Sequence, residues 1–286
     1  MPLVSSGNLV AAAADQGTAV LAFNAITLEH AEAIVEAAQI ANTAVIIQIS
    51  HNAIRFHGGQ MAPIAASVVA LASGSAVDIG LHLDHVEETS MVALASQNGF
   101  SSVMFDAARF PYDVNVSETI LARRLARECG LWLEAEIGYV GGKPDAPASA
   151  HEVGVRTDPE EAAEFVLATG VDALAVAVGS SHAMTTRTAQ LDFALIERIA
   201  RSVTVPLVLH GSSGASAEQL RGAIKAGIAK INIGTALNQA FTSEVRVVLA
   251  DRTVSDPRHY LSKGRRAITD YIVELVNDVL TIPKVS

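Results

Sequence analysis

Eight times between Ala19 and Ala250, a short apolar run rich in β-branched residues is followed by a stretch with helical periodicity. The candidate strands are residues 19–25, 44–50, 78–84, 101–107, 131–138, 171–180, 206–211 and 229–235. Such near-continuous apolar runs are expected of parallel strands covered on both faces. Between them, Ala31, Ile34, Val35 and Ala38 keep the i, i+3, i+4, i+7 spacing of a buried helix face. Asp158-Pro159-Glu160-Glu161 reads as an N-cap, a proline at the first helical position and an acidic first turn. Gly99, Gly130, Gly170 and Gly227 each stand where a helix must close before the next strand. Eight β/α units within 286 residues match the (β/α)8 barrel. The expectation is one α/β domain over residues 1–286, a TIM barrel with a helix at 5–17 before the first strand and a helical extension at 252–279. An open doubly wound sheet competes, but its Gly-x-Gly-x-x-Gly turn after the first strand is absent.

Composition narrows the function. Half of the residues are hydrophobic and 17% are charged, enough apolar material for a core, which excludes a disordered chain. Asp and Glu outnumber Lys and Arg by 30 to 20, against a nucleic-acid partner, which would need a basic face. Cys129 is the sole cysteine, so neither an internal disulfide nor a four-cysteine zinc site can form, and a reducing, cytoplasmic setting is expected. No apolar run approaches the ~18 residues of a membrane span. Residues 1–17 lack a basic n-region and include Asp15, so they do not read as a signal peptide.

The strands are apolar until their C-terminal ends, where reactive side chains gather: Asn24, Ser50 with His51, Asp84 with His85, Asp106, Glu134 with Glu136, Ser180 followed by His182, His210 to Gly214, and Asn232 to Thr235. In a barrel these ends share one rim, where the fold carries its chemistry. His85, His182 and His210 come from three different strands, and three imidazoles with an open position would suit a catalytic metal. A lone histidine at a strand end is more often a hydrogen-bonding group; three beside several carboxylates reverse that reading. His82 shares a strand face with Asp84 and reads as a supporting group. His30, His57, His151 and His259 fall in helices or loops. The turns Gly211–Gly214 and Asn232–Thr235 follow strands seven and eight, the usual phosphate site of this fold. Residues 139–157 make a long Gly-, Pro- and Ala-rich connection, of the kind that covers active sites or is a simple surface insertion.

The run His82-Leu83-Asp84-His85 resembles the class II, metal-dependent ketose-bisphosphate aldolases. The likeness continues through Glu134-Ala135-Glu136-Ile137-Gly138, Gly141-Gly142, Ala175 to Gly179, His182, Leu207 to Gly211, Lys230 to Thr235 and Asp256-Pro257-Arg258, in the family's order over essentially the whole chain. The shorter members, including fructose- and tagatose-bisphosphate aldolases, are most similar.

This resemblance implies a zinc-dependent lyase of carbohydrate metabolism that reversibly cleaves a ketose 1,6-bisphosphate to dihydroxyacetone phosphate and an aldehyde. His85, His182 and His210 would hold Zn2+. Asp106 and Glu136 match positions that hold a second divalent or monovalent cation in some members. Asp84 would be the acid/base at the aldehyde oxygen; its alternative role is to orient a ligand imidazole. Asn24, Ser50, Ala183, Gly211, Ser212, Ser213, Asn232, Ile233, Gly234 and Thr235 would contact substrate, the last seven at its phosphate. Arg258 matches an arginine that reaches a neighbouring subunit's site in some members, which implies a homodimer or homotetramer.

Three positions depart from the family pattern. Pro144 occupies the place of a glutamate that is a candidate base, with Asp145 beside it; Ala183 replaces a glycine after His182; Gly234 stands where fructose-type members often have Asp and tagatose-type members Ala. Three rivals follow: a metal- and phosphosugar-binding homologue with impaired catalysis, motivated by Pro144, an aldolase for a different phosphorylated sugar, and a Schiff-base aldolase using Lys230.

Overall fold

The computed structural model describes residues 3–137, 156–180 and 186–280. In chain order the elements are β1 (Leu3–Val4), α1 (Ser6–Asp15), β2 (Val20–Asn24), α2 (Leu28–Ile40), β3 (Val45–Ser50), α3 (His51–Phe56), α4 (Met61–Ser73), β4 (Ile79–Val86), α5 (Ser90–Gln97), β5 (Ser102–Phe105) and α6 (Tyr112–Glu128). They continue with β6 (Trp132–Ile137), α7 (Pro159–Thr169), β7 (Ala173–Val176), α8 (Phe193–Ser202), β8 (Leu207–Leu209), a 3-10 turn at Ser212–Gly214, α9 (Ala217–Ala226), β9 (Ile228–Ile233), α10 (Thr235–Leu249) and α11 (Pro257–Leu280).

Strands β2 to β9 run parallel in the order β4-β3-β2-β9-β8-β7-β6-β5, and β4 pairs back onto β5. The sheet is thus a closed barrel with no free edge, the (β/α)8 fold expected from the eight repeats. Each expected strand is present, most of them shorter than expected, while β4 runs on to Val86. β1, which the apolar pattern does not announce, adds a two-residue bridge to the start of β4 at Leu3↔Ile79 and Val4↔Gly80.

Strand alternation sorts the side chains into two sets. Leu21, Phe23, Ile47, Ile49, Leu81, Leu83, Val103, Leu133, Leu174, Leu207, Leu209, Ile231 and Ile233 point outward into the main core, where they meet the helices. Ala31, Ile34, Val35 and Ala38 of α2 are buried in that same core, as their spacing requires. The Asp158 carboxylate accepts from the N–H groups of Glu160 and Glu161 and caps α7. Gly99, Gly130, Gly170 and Gly227 all have positive φ, the left-handed exit for which glycine is suited.

Helix α1 closes the barrel's N-terminal end. Val10 and Ala13 pack with Val20, Ala22, Ile46 and Ala229 from inside the strands. Close approach requires glycine at two places: a Cβ on Gly7 would lie 2.6 Å from Trp132 Cδ1, and one on Gly80 would lie 2.7 Å from Ser6 Oγ. At the other side of the barrel α11 packs against α10 and α2, and Arg265 pairs with Glu32 at 2.8 Å.

Candidate active site

The second face of each strand lines the barrel interior, and toward the C-terminal rim it turns from apolar to polar. Asn24, Gln48, Asp84, Glu134, Glu136, His210, Lys230 and Asn232 share this inner face; all are buried except Asn24, which is half-buried.

Alternation alone would send His85 to the opposite face from Asp84. Two features of β4 prevent this. Its register against β5 slips between Leu83 and Val86, so three steps on β4 span two on β5, from Val103 to Phe105. His85 itself has φ of 52°, one of two positive values among non-glycine residues described. A bulge of this kind re-aims a side chain, and a left-handed non-glycine residue costs energy that is commonly found at functional sites. The outcome is two consecutive reactive residues on one rim.

His85 Nδ1 is 2.9 Å from Asp106 Oδ2, and its ring meets that of His210 edge-on at 5.0 Å between centroids. His210 Nδ1 lies 3.3 Å from Glu136 Oε2, and its Nε2 lies 2.8 Å from Glu134 Oε1. One ligand atom from each of His85, Glu136 and His210 falls within 4.8 Å of the others. Imidazole and carboxylate at such separations are a donor set for a divalent cation of the zinc type. His182 and Ala183 lie outside the described residues, as do Gly141, Gly142, Pro144 and Asp145.

The charges in the cluster act on one another. Burial alone would lower the His210 pKa, but its hydrogen bonds to Glu134 and Glu136 prevail and raise it to about 9. His85 is likewise raised: burial opposes the shift, and Asp84 with Asp106 outweighs it. Burial would raise the Asp84 pKa; the neighbouring His85, His210, His82 and Lys230 reverse that and lower it. For His82, burial and the Lys230 charge push the pKa down to about 3. Asp84 therefore stands as a carboxylate, and His82 as a neutral ring.

Asp84 Oδ2 accepts a 2.8 Å hydrogen bond from Asn24 Nδ2, and Asn24 Oδ1 accepts one of 3.2 Å from Gln48 Nε2. Oδ1 of Asp84, and both polar atoms of the Asn232 side chain, have no hydrogen-bond partner among the described residues. Asp84 is 3% exposed and Asn232 8%. Buried polar groups of this kind are ordinarily satisfied, so a water or a ligand is the expected partner of these atoms.

The loops after β8 and β9 meet beside these residues. Gly211 has φ of 66° and starts the Ser212–Gly214 turn, and Ser213 Oγ accepts from the Ala236 N–H in the first turn of α10. Ser212 Oγ instead donates to Leu209 O at 3.2 Å. Thr235 is the first residue of α10 and Gly234 its N-cap, so the positive end of the helix dipole lies here, a setting for an anion. Ile233 is buried with its side chain in the outer core, so only its backbone can serve a ligand.

Two expected residues sit differently. Ser50 caps α3, accepting from the Ala53 N–H at 3.1 Å. Arg258 is not brought to the cluster; it is exposed on the first turn of α11, paired with Asp256 and near Glu29 and Glu32 of α2. Gln48 is a member of the inner layer that the sequence reading passed over. Its parity with Ser50 on one strand was the available signal.

The profile of the class-II fructose-bisphosphate aldolase family matches residues 4–282. A probable fructose-bisphosphate aldolase from Bacillus subtilis is 37% identical over 276 residues, 96% of each chain. A fructose-bisphosphate aldolase from Staphylococcus aureus is 37% identical over 279 residues, 95% of each chain. Among solved structures, the YdjI aldolase of Escherichia coli K12 superposes with a TM-score of 0.84 at 31% identity, covering 97% of each chain.

Proposed function

Because the chain belongs to the class II fructose-bisphosphate aldolase family, we propose that it is a zinc-dependent aldolase. Its reaction is the reversible cleavage of a ketose 1,6-bisphosphate, of fructose or tagatose type, to dihydroxyacetone phosphate and an aldehyde. The observation that carries this reading is the convergence of His85, Glu136 and His210 within 4.8 Å, beside an Asp84 carboxylate that Asn24 holds in place.

Retro-aldol cleavage leaves an electron pair next to a carbonyl, and that charge must be taken up. Bound zinc supplies a Lewis acid for the ketose carbonyl oxygen. His85 and His210, with His182 as third imidazole, would hold it, and Glu136 and Asp106 would serve the same centre or a second cation. Asp84, a carboxylate at neutral pH, takes the proton from the C4 hydroxyl as the C3–C4 bond breaks. In condensation it returns that proton to the aldehyde oxygen. Asn24 fixes one carboxylate oxygen and leaves Oδ1 for the substrate. Asn232 offers a donor and an acceptor to the sugar. The turn from Gly211 to Ser213 and the N-terminus of α10 take the phosphate of the dihydroxyacetone end. Arg258, exposed and away from its own cluster, fits a role at the second phosphate in a neighbouring subunit of a homodimer or homotetramer.

The Schiff-base alternative loses its residue. Lys230 is fully buried and its Nζ is engaged by Glu134 at 2.7 Å, below the rim.

The test is turnover of fructose 1,6-bisphosphate and tagatose 1,6-bisphosphate, with zinc and after chelation. The expected result is cleavage lost to chelator and restored by zinc, with the rate ratio naming the substrate. Zinc-loaded protein that cleaves neither would overturn the assignment in favour of a different phosphorylated sugar or a binding role.

A further inference from the structure

Beneath the rim, the barrel holds buried charged groups to which the proposed mechanism gives no part. Lys230 points into the barrel from the middle of β9, in register with Val20 of β2 and Val208 of β8, and is fully buried. A buried ammonium is costly unless it is paired and hydrogen-bonded. Its partner is Glu134, also fully buried, two residues before Glu136 on β6. The two carboxylate oxygens of Glu134 are divided between partners: Oε2 accepts from Lys230 Nζ at 2.7 Å, and Oε1 meets His210 Nε2 at 2.8 Å.

That division decides how His210 faces the rim. With a proton on Nε2 donated to Glu134, Nδ1 is the nitrogen left to a cation, which would take the place of the proton that Nδ1 shares with Glu136. Nδ1 is the atom on the side of Glu136, 3.3 Å from its Oε2. A carboxylate behind a ligating imidazole sets its tautomer and its orientation.

A competitor for the same carboxylate lies close by. His82 Nε2 is 3.9 Å from Glu134 Oε2 and has no hydrogen-bond partner among the described residues. Its other nitrogen is held by Ser102 Oγ at 2.7 Å, and Trp132 packs edge-on against its ring. Lys230 occupies the oxygen that His82 would otherwise draw toward itself.

We propose that Lys230 is a positioning residue for the metal centre: by pinning Glu134 it assigns that carboxylate to His210 rather than His82, and so presents His210 Nδ1 to the cation. This rests on the metal reading above and adds to it a residue that neither binds the cation nor touches substrate.

The experiment combines zinc affinity, measured by competition with a chelating dye, with 15N spectra of histidine-labelled, zinc-loaded full-length protein. In the wild type, His210 is expected to carry its proton on Nε2 with Nδ1 on zinc. Lys230→Met is expected to weaken zinc binding by about 10–100-fold, the range found when such supporting partners are removed, and to shift the His82 signals as that ring gains Glu134. Because Lys230→Met leaves a buried carboxylate, the charge-neutral pair Lys230→Met/Glu134→Gln is measured alongside it; an affinity loss of about tenfold or more is expected there. Zinc bound through His210 Nε2, or wild-type affinity in either folded variant, overturns the inference while leaving the metal reading standing. A wild type that takes up no zinc overturns both.

Discussion

Gly234 lies directly against Asn24: a Cβ at position 234 would stand 3.0 Å from Asn24 Oδ1 and 3.3 Å from its Cγ. Asn24 cannot retreat freely, because Gln48 and Asp84 hold it from the other side. The φ of Gly234, −130°, is outside the left-handed region reserved to glycine, and what an added Cβ meets is the contact with Asn24. Gly234→Ala is expected to displace Asn24 by a few tenths of an ångström and loosen its grip on Asp84. Misplacement on this scale should lower kcat/KM by about tenfold, given how steeply rate depends on alignment. Bound zinc should be unchanged; equal kcat/KM in steady-state assays would show that Asn24 adjusts without consequence.

Asp84→Asn keeps the shape and the Asn24 neighbour but removes the proposed proton acceptor. A loss of about 10²–10⁴ in kcat is expected, the usual contribution of a positioned acid/base. Zinc content should match the wild type, since the donors of His85, Glu136 and His210 are untouched. Turnover within tenfold of the wild type would remove Asp84 from the proton-transfer role.

How far the barrel and its rim could be read beforehand depended on periodicity. The eight strands, the α7 cap at Asp158 and the glycine exits follow from local rules that each segment obeys alone. The rim residues were legible because reactive side chains in otherwise apolar strands fall at the same end of each. The bulge at His85 was not legible, because it exists only as a mismatch between Leu83–Val86 on β4 and the shorter step on β5. By strict alternation Asp84 and His85 would have opposed one another. The pairing of Lys230 with Glu134 was hidden for a similar reason: parity places both inside, but which charge meets which is fixed by stagger around the closed sheet.

Stability of the metal-free protein should fall as pH rises through the neutral range. The folded pKa of His210 is raised from its ordinary 6.5 to about 9. Its contribution is therefore full below about pH 6.5 and is lost as the pH climbs toward 9. Asp84 and Glu134, both lowered, are ionised in either state over this window and contribute no slope. Denaturation midpoints in chelator across pH 6.5–9 should decline. Zinc held by His210 would displace that proton, so its apparent affinity should increase over the same interval. A flat midpoint and a pH-independent affinity would refute the assignment of that proton.

Gly7→Ala pits two effects against each other in α1. Helix propensity favours alanine by about 1 kcal/mol. The new methyl, however, would meet Trp132 Cδ1 at 2.6 Å, and overpacking of this type costs about 1–3 kcal/mol. Net destabilisation is expected, read as a lower urea midpoint with unchanged slope. A higher midpoint would mean that Trp132 gives way.

The seat of α1 across the strand N-termini also governs traffic. With Val10 and Ala13 packed against Val20, Ala22, Ile46 and Ala229, side chains fill that end of the barrel, and a substrate would reach the strand C-termini over the opposite rim. Under the proposed function, the two fragments of a cleaved sugar would then depart through the door by which the next sugar arrives. The fragment whose phosphate is proposed to sit at the turn after β8 and the start of α10 would share that exit with the other. A bulky compound lodged at the rim would then stop arrival and departure together, and its inhibition would show in both substrate saturation and the release of the trapped fragment.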